Sequence, residues 1–203
     1  MSRVKIIILA KAPIANFSKT RLIPDLGEEC TAVLARKLFY HTIKEAIDAD
    51  IGPVELCVTP SYNDPLWLRF CIDKAIKVTD QIEGSLSEKL IDISKRAANE
   101  IVPFIIIGTD CPALDSTKLR EVASCLNNNN VCIVPACDGG YVLIGLNQHH
   151  DSIFTDIPWS SNKVFSITLK RITNLFWSSV CFDALHDIDI VDDLKFLPPK
   201  FMS

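Results

Sequence analysis

Glycine is scarce in this chain, 7 of 203 residues, about half the ~7% of an average protein. No GxGxxG follows the first apolar run, which disfavours a dinucleotide-dependent dehydrogenase. None of the seven glycines lies between Lys11 and Arg21, so a phosphate cradle built from backbone amides is excluded there. Positive charge is also short: 21 Lys and Arg against 25 Asp and Glu leave a net charge of −4. No basic excess exists to follow a nucleic-acid backbone, and no nucleic-acid partner is expected. The longest apolar runs, Ile6–Ala10 and Ile101–Gly108, fall far below the ~20 residues of a membrane span. The first run ends at Lys11 with no small-residue cleavage site behind it, so no signal peptide is expected. Eight cysteines are present, yet there is no CxxC pair and no Cys/His cluster at zinc spacing. Cys57, Cys132 and Cys181 sit in apolar runs, where cysteine behaves as a small hydrophobe. The expectation is a reduced, cytoplasmic protein.

What is present is core-forming. With 48% hydrophobic residues the chain can bury a core and is not disordered. Val4–Ala10, Val54–Val58, Ala75–Val78, Val102–Ile107, Val131–Pro135, Val142–Leu146 and Val180–Phe182 read as strands, several of them buried on both faces. Between them, Gly27–Asp50 reads as a helix with Ala35, Leu38, Phe39, Ile43, Ala46 and Ile47 on one face. Asp64–Asp73 reads as a short helix entered through Pro65. Ser85-Leu-Ser-Glu88 has capping-box spacing, followed by a buried stripe of Leu86, Leu90, Ile93 and Ala97. Leu119, Val122, Ala123 and Leu126 mark a further helix, Asn162–Leu175 another, and a last helical turn follows Asp189. Strands alternating with helices, without linker or repeat, predict one α/β domain over 1–203 with a mostly parallel sheet covered on both faces.

In such sheets ligands bind outside the carboxyl ends of the strands, and four polar clusters fall there. Lys11, Lys19 and Arg21 share one loop after the first strand; three cations suit phosphate oxygens, or a solvated basic loop. Asp110, in Gly108-Thr-Asp-Cys-Pro112, follows a fully apolar strand, where a divalent cation or a helix N-cap role would compensate its charge. Asp138-Gly-Gly-Tyr141 suits a hairpin turn or close approach of a ligand to Gly139 and Gly140. Asp138 itself reads as a base, an acceptor for a sugar hydroxyl, or a turn residue. His186-Asp-Ile-Asp189, with Asp192 and Asp193, suits a hard cation or the start of a helix. Trp159, beside Pro158, suits stacking on a base or sugar, or plain packing. None of the four histidines is expected in a nucleophile triad, and His41 reads as a surface or packing residue.

Several segments together resemble one family: Leu9-Ala-Lys-Ala-Pro13, Lys19-Thr-Arg-Leu22, Gly108-Thr-Asp-Cys-Pro-Ala-Leu114, Asp138-Gly-Gly-Tyr141, Ile157-Pro-Trp-Ser160, and Asp187-Ile-Asp189 with Asp193-Leu194. In this order they resemble the DUF2064 family of glycosyltransferase-A-like proteins. The resemblance spans nearly the whole chain and implies a nucleotide-diphospho-sugar transferase fold with a mixed, mostly parallel sheet in a three-layer α/β/α arrangement. It also implies Mg²⁺ or Mn²⁺ on the donor diphosphate, with Asp110 as first ligand and Asp189 as second. The loop of Lys11, Lys19 and Arg21 is similar to the phosphate-binding loop of related nucleotidyltransferases.

The chain departs from the family pattern at Ala15-Asn16 for Pro-Gly, at Ser85-Leu-Ser-Glu-Lys89 for Asp-Leu-Gly-Glu-Arg, at Cys137 for Glu, and at Ile190-Val191 for Thr-Pro. The resemblance implies transfer of a glycosyl group from a nucleotide-diphospho-sugar to a small-molecule acceptor. For that reaction Asp110 and Asp138 are the catalytic candidates, Asp138 against the acceptor or donor sugar, and Gly139, Gly140 and Trp159 the candidates for substrate contact. The same residues suit a guanylyltransferase-like nucleotidyl transfer from a nucleoside triphosphate. The departures motivate a third reading, a nucleotide-binding module without turnover.

Overall fold

The computed structural model describes residues 3–201. Strand β1 (Lys5–Lys11) is followed by α1 (Ile23–Asp48), β2 (Val54–Thr59), β3 (Lys77–Asp80), α2 (Leu86–Ala98), β4 (Phe104–Ile107) and α3 (Ser116–Cys125). The chain continues through β5 (Val131–Pro135), β6 (Tyr141–Leu146), α4 (Val164–Asn174) and β7 (Ser179–Cys181). The strands form one seven-stranded sheet in the order β3-β2-β1-β4-β6-β5-β7. β1 pairs in parallel with β2 and β4, β2 with β3, and β5 with β7. β6 runs antiparallel to both β4 and β5, because the Asp138-Gly-Gly turn makes β5 and β6 a hairpin. The sheet is therefore mixed and mostly parallel, as the alternating pattern and the hairpin signal predict.

The central strands are apolar throughout because both faces are covered. Ile6 and Ile8 of β1 point into a core with Phe39 and Ile43 of α1 and Leu119 and Val122 of α3. Ile7, between them, points into the opposite core with Leu90 and Ile93 of α2 and Ile172 of α4. This period-2 split of one strand between two helix layers defines the three-layer α/β/α architecture. A smaller cluster joins Leu22, Leu34 and Leu38 to Ile188, Leu197 and Phe201, fastening the C-terminal segment beside the N-terminal half of α1.

Local signals are mostly realised. The Ser85–Glu88 capping box is complete. Gly27 has φ 77° and ψ 163°, so the uninterrupted part of α1 begins after it, close to the expected start. Some expectations need correction. Asp64–Asp73 shortens to a 3-10 turn over Pro65–Arg69, with Asp64 capping and Phe70 extended. Leu86 is exposed rather than part of the buried stripe, since the first turn of α2 stands at the rim of a cleft. Cys181 is exposed, because β7 is an edge strand. Among the described residues no helix is long and apolar enough to cross a membrane.

Candidate functional site

The chain leaves β1 toward β2 on one side and later returns past it to β4 on the other, so a crevice opens at the carboxyl ends of β1 and β4. A cleft of about 740 Å³ occupies this place. Lys11 reaches it from the last position of β1, Lys19 and Arg21 from the connection after it, Asp110 from the loop after β4, and Asp138 and Gly140 from the β5–β6 hairpin. Trp159 reaches it from the loop before α4, and Asp187 and Asp189 from the segment after β7. Of the residues given a site role from the sequence, all but Gly139 line one cleft, whereas His186, Asp192 and Asp193 of the fourth polar cluster do not. That glycine, at φ +95°, lies under the cleft wall; a Cβ there would stand 2.5 Å from Cα and O of Asn162.

Asp110 does not cap the next helix. Asp115 does so, accepting the Lys118 N–H, which leaves the Asp110 carboxylate at the cleft. Its Oδ1 lies 2.6 Å from Lys19 Nζ. The same ammonium lies 2.9 Å from Asp189 Oδ1 and donates to the Ile188 carbonyl at 2.5 Å. Lys19 is 5% exposed, while Asp110 and Asp189 are 47% and 39% exposed. Burial favours a neutral amine, yet the attraction of Asp110 and Asp189 outweighs it and raises the Lys19 pKa above its ordinary value. Arg21, by contrast, is 61% exposed and 3.8 Å from Asp189.

The Asp187–Asp189 segment is pinned on both sides. Ile188 N–H donates to the Asp110 carbonyl, the Ile188 side chain is buried, and Asp193 accepts the backbone N–H groups of Asp189 and Ile190 at 2.9 Å. This geometry aims both carboxylates of the Asp-Ile-Asp alternation at the cleft. From the sequence Asp187 belongs to a cluster suited to a hard cation, but only Asp189 of that alternation is given a role of its own. Burial, together with repulsion from Asp138 and Asp189, pushes its carboxyl up to about 6. Gln81 and Lys89 also line the cleft, and no sequence motif marked Gln81.

Asp138 Oδ1 accepts the Gly140 N–H at 2.8 Å, which holds its carboxylate in a tight turn. Trp159 stands edge-on to Tyr141, with ring centroids 6.3 Å apart, and its Nε1–H donates to Ser87 Oγ at 2.8 Å. Packing and cleft lining are therefore both true of this indole. Cys137 lies 3.5 Å from His186 Nε2. His186 stacks on Phe196.

One histidine is differently placed than expected. His149 joins Ser94 Oγ at 2.7 Å to Asp151 Oδ1 at 2.6 Å, a triad-like chain. The Ser94 hydroxyl is fully buried within α2 and donates to Ile91 O, so it is a structural tie and not a nucleophile facing substrate. His41 packs against Phe201 and bonds the Pro112 carbonyl.

Among the described residues, no three His, Cys, Asp or Glu side chains form a ready-made metal site. The donor chemistry nevertheless suits a hard cation. Asp110 and Asp189 share one ammonium while remaining partly exposed to the cleft, and Asp187 adds a third carboxylate whose repulsion from Asp138 and Asp189 is only partly offset by Lys19. Surplus carboxylate oxygen facing a solvent-filled cleft is the donor set of Mg²⁺ and Mn²⁺.

No curated protein matches the sequence. Among solved structures, a protein from Desulfovibrio desulfuricans G20, provisionally described as a nucleotide-diphospho-sugar transferase, superposes with a TM-score of 0.89 at 22% identity, covering 98% of this chain and 88% of that one. The inositol-1-phosphate CTP transferase from T. maritima superposes with a TM-score of 0.59 at 12% identity, over 98% and 94% of the two chains. Rv0371c from Mycobacterium tuberculosis H37Rv, solved in complex with manganese, gives 0.53 at 16% identity over 97% and 98%. These likenesses establish the fold. Residues 42–161 match the family described as an uncharacterized protein conserved in bacteria, DUF2064. The chain belongs to the DUF2064 family, built on a nucleotide-diphospho-sugar transferase fold.

Proposed function

We propose that this protein is a transferase acting on a nucleotide-activated donor, moving a glycosyl group from a nucleotide-diphospho-sugar to a small-molecule acceptor. The observation that carries this reading is the convergence of Lys11 and Arg21 with Asp110, Asp187 and Asp189 in one cleft at the sheet's switch point. Anionic donor and cationic side chains meet there, while the carboxylates provide for a divalent counter-charge. Bound Mg²⁺ or Mn²⁺, held by Asp110 and Asp189 with Asp187 alongside, would neutralise charge on the diphosphate leaving group.

The protein's own residues supply the rest. Lys11 and Arg21 bind phosphate oxygens from the mouth of the cleft, Arg21 as a two-pronged donor. Trp159 and Tyr141 form the wall against which the sugar lies. Asp138, oriented by the Gly140 N–H, takes the proton from the attacking acceptor hydroxyl. A second reading, nucleotidyl transfer from a nucleoside triphosphate to a phosphorylated metabolite, is favoured by the likeness to the T. maritima CTP transferase. The same cations and carboxylates serve that displacement.

Calorimetry with nucleoside diphosphates and Mn²⁺ tests the shared core of both readings. Heats that vanish in Asp110→Ala support it, and equal heats for wild type and variant overturn the role of Asp110. A donor panel then separates the two reactions. Consumption of a nucleotide-sugar supports glycosyl transfer, and pyrophosphate release from a triphosphate supports nucleotidyl transfer. Binding without turnover across the panel would assign a nucleotide-binding module.

A further inference from the structure

Lys19 is the least phosphate-accessible cation of the basic loop. Its backbone takes a left-handed φ of 56° just before the turn Thr20–Leu22. From there the side chain runs inward, away from the mouth where Arg21 stands exposed. All three of its close partners are oxygens of the carboxylate wall: Asp110 Oδ1, Asp189 Oδ1 and the Ile188 carbonyl. A −NH₃⁺ group has three protons, and three acceptors use all of them. The ammonium thus compensates the very pair of carboxylates assigned above to a divalent cation. A second positive centre placed against the same two oxygens meets like-charge repulsion at short range from an ammonium that is itself buried.

We propose that Lys19 is a displaceable internal counter-ion: a divalent cation binds Asp110 and Asp189 only by expelling the Lys19 ammonium, which is then released to the anionic ligand. The inference rests on the reading that Asp110 and Asp189 hold the cation. It makes Lys19 a positioning residue with two stations. In the first it holds the Asp187–Asp189 segment against the loop after β4 and keeps the carboxylates from repelling one another. In the second it faces the cleft, where a diphosphate gives it new acceptors. Cation and diphosphate then favour each other's binding, reciprocally, because each removes a cost the other would bear alone.

Two measurements without turnover test this. In the first, wild-type protein is acetylated briefly and each lysine is read by mass spectrometry, with exposed Lys44 as the internal standard. Lys19 is expected to be protected without cation and to label several-fold faster with saturating Mn²⁺. In the second, Mn²⁺ binding is followed by the resonance signal of the free ion for wild type and for Lys19→Gln, which retains one donor for the Ile188 carbonyl. Lys19→Gln is expected to bind Mn²⁺ roughly tenfold more tightly than wild type, since a positive charge has left the pair. A purely structural lysine predicts the opposite sign. If Mn²⁺ binds wild type while Lys19 stays protected, or if Lys19→Gln binds no more tightly, the displacement is overturned and the metal assignment stands. If Mn²⁺ binds neither protein, with or without pyrophosphate, the metal assignment itself fails.

Discussion

Trp159 Nε1 lies 2.8 Å from Ser87 Oγ, and this one hydrogen bond ties the loop before α4 to the first turn of α2 across the cleft wall. Ser87 passes the connection on, donating to the Phe154 carbonyl at 2.6 Å. Trp159→Phe keeps an aromatic ring but removes the donor together with part of the ring volume, so a loss of at least about 1 kcal/mol in denaturant unfolding is expected. Trp159→Ala also removes the edge contact with Tyr141 and is expected to cost more than Phe at that position. It is further expected to weaken donor binding, which calorimetry would read; unchanged binding would confine Trp159 to packing.

Gly139 and Gly140 are adjacent but not equivalent. At Gly139 a side chain meets both a positive φ and the Asn162 backbone. Gly139→Ala is expected to destabilise by about 2–4 kcal/mol. At Gly140 the nearest atom is the Asp138 side-chain oxygen at 3.1 Å, and Gly140→Ala is expected to cost under about 1 kcal/mol. Its effect is instead expected on turnover, through the displaced Asp138 carboxylate. Melting curves and activity measured on the pair would separate the two roles.

Arg21 stands open to the cleft with one distant carboxylate partner. Arg21→Ala is expected to leave the melting temperature nearly unchanged, since exposed ion pairs contribute little. It is expected to weaken nucleoside diphosphate binding roughly tenfold or more, through lost charge-assisted hydrogen bonds. A large fall in melting temperature, or no change in affinity, would contradict its assignment to phosphate.

Away from the cleft, Glu55 on β2 is fully buried, 2.7 Å from Lys5 Nζ and 3.1 Å from Arg96. Burial alone would raise its pKa, but hydrogen bonds from Lys5, Thr79 and Arg96 prevail and hold it at about 2. A carboxylate held below its ordinary value stabilises the fold above the unfolded pKa, and that contribution is lost as pH falls. The loss is expected between about pH 5 and pH 2, and amounts to about 3 kcal/mol. Acid unfolding of Glu55→Gln should show a flatter dependence over this window; an unchanged slope would contradict the role.

Much of this was legible in the sequence for local reasons. Consecutive buried residues in Ile6–Ile8 announce a strand covered on both faces, and the Ser85–Glu88 spacing announces a helix start. The Asp138-Gly-Gly turn likewise marks the antiparallel excursion of β6. Leu86 and Cys181 misled because their neighbours are apolar, whereas burial depends on what stands opposite: a cleft rim in one case, open edge in the other. Asp187 was half visible, since its alternation with Asp189 puts both on one side of an extended segment but says nothing about what that side faces.

The sequence by itself determined the alternation of strands and helices, the sheet class and the positions of polar loops, because periodicity and turn chemistry act over a few residues. The absence of glycine between Lys11 and Arg21 pointed the expectation of phosphate recognition to side chains rather than to a backbone cradle. Only the tertiary structure decided which of those side chains meet. Lys19 and Asp189 are 170 residues apart, and their contact depends on the strand order that brings the end of β1, the end of β4 and the segment after β7 to one crevice. Composition counts Lys19 as a free cation. The fold buries it between two carboxylates, because a charge inside a protein must find its partner wherever the sheet has placed one.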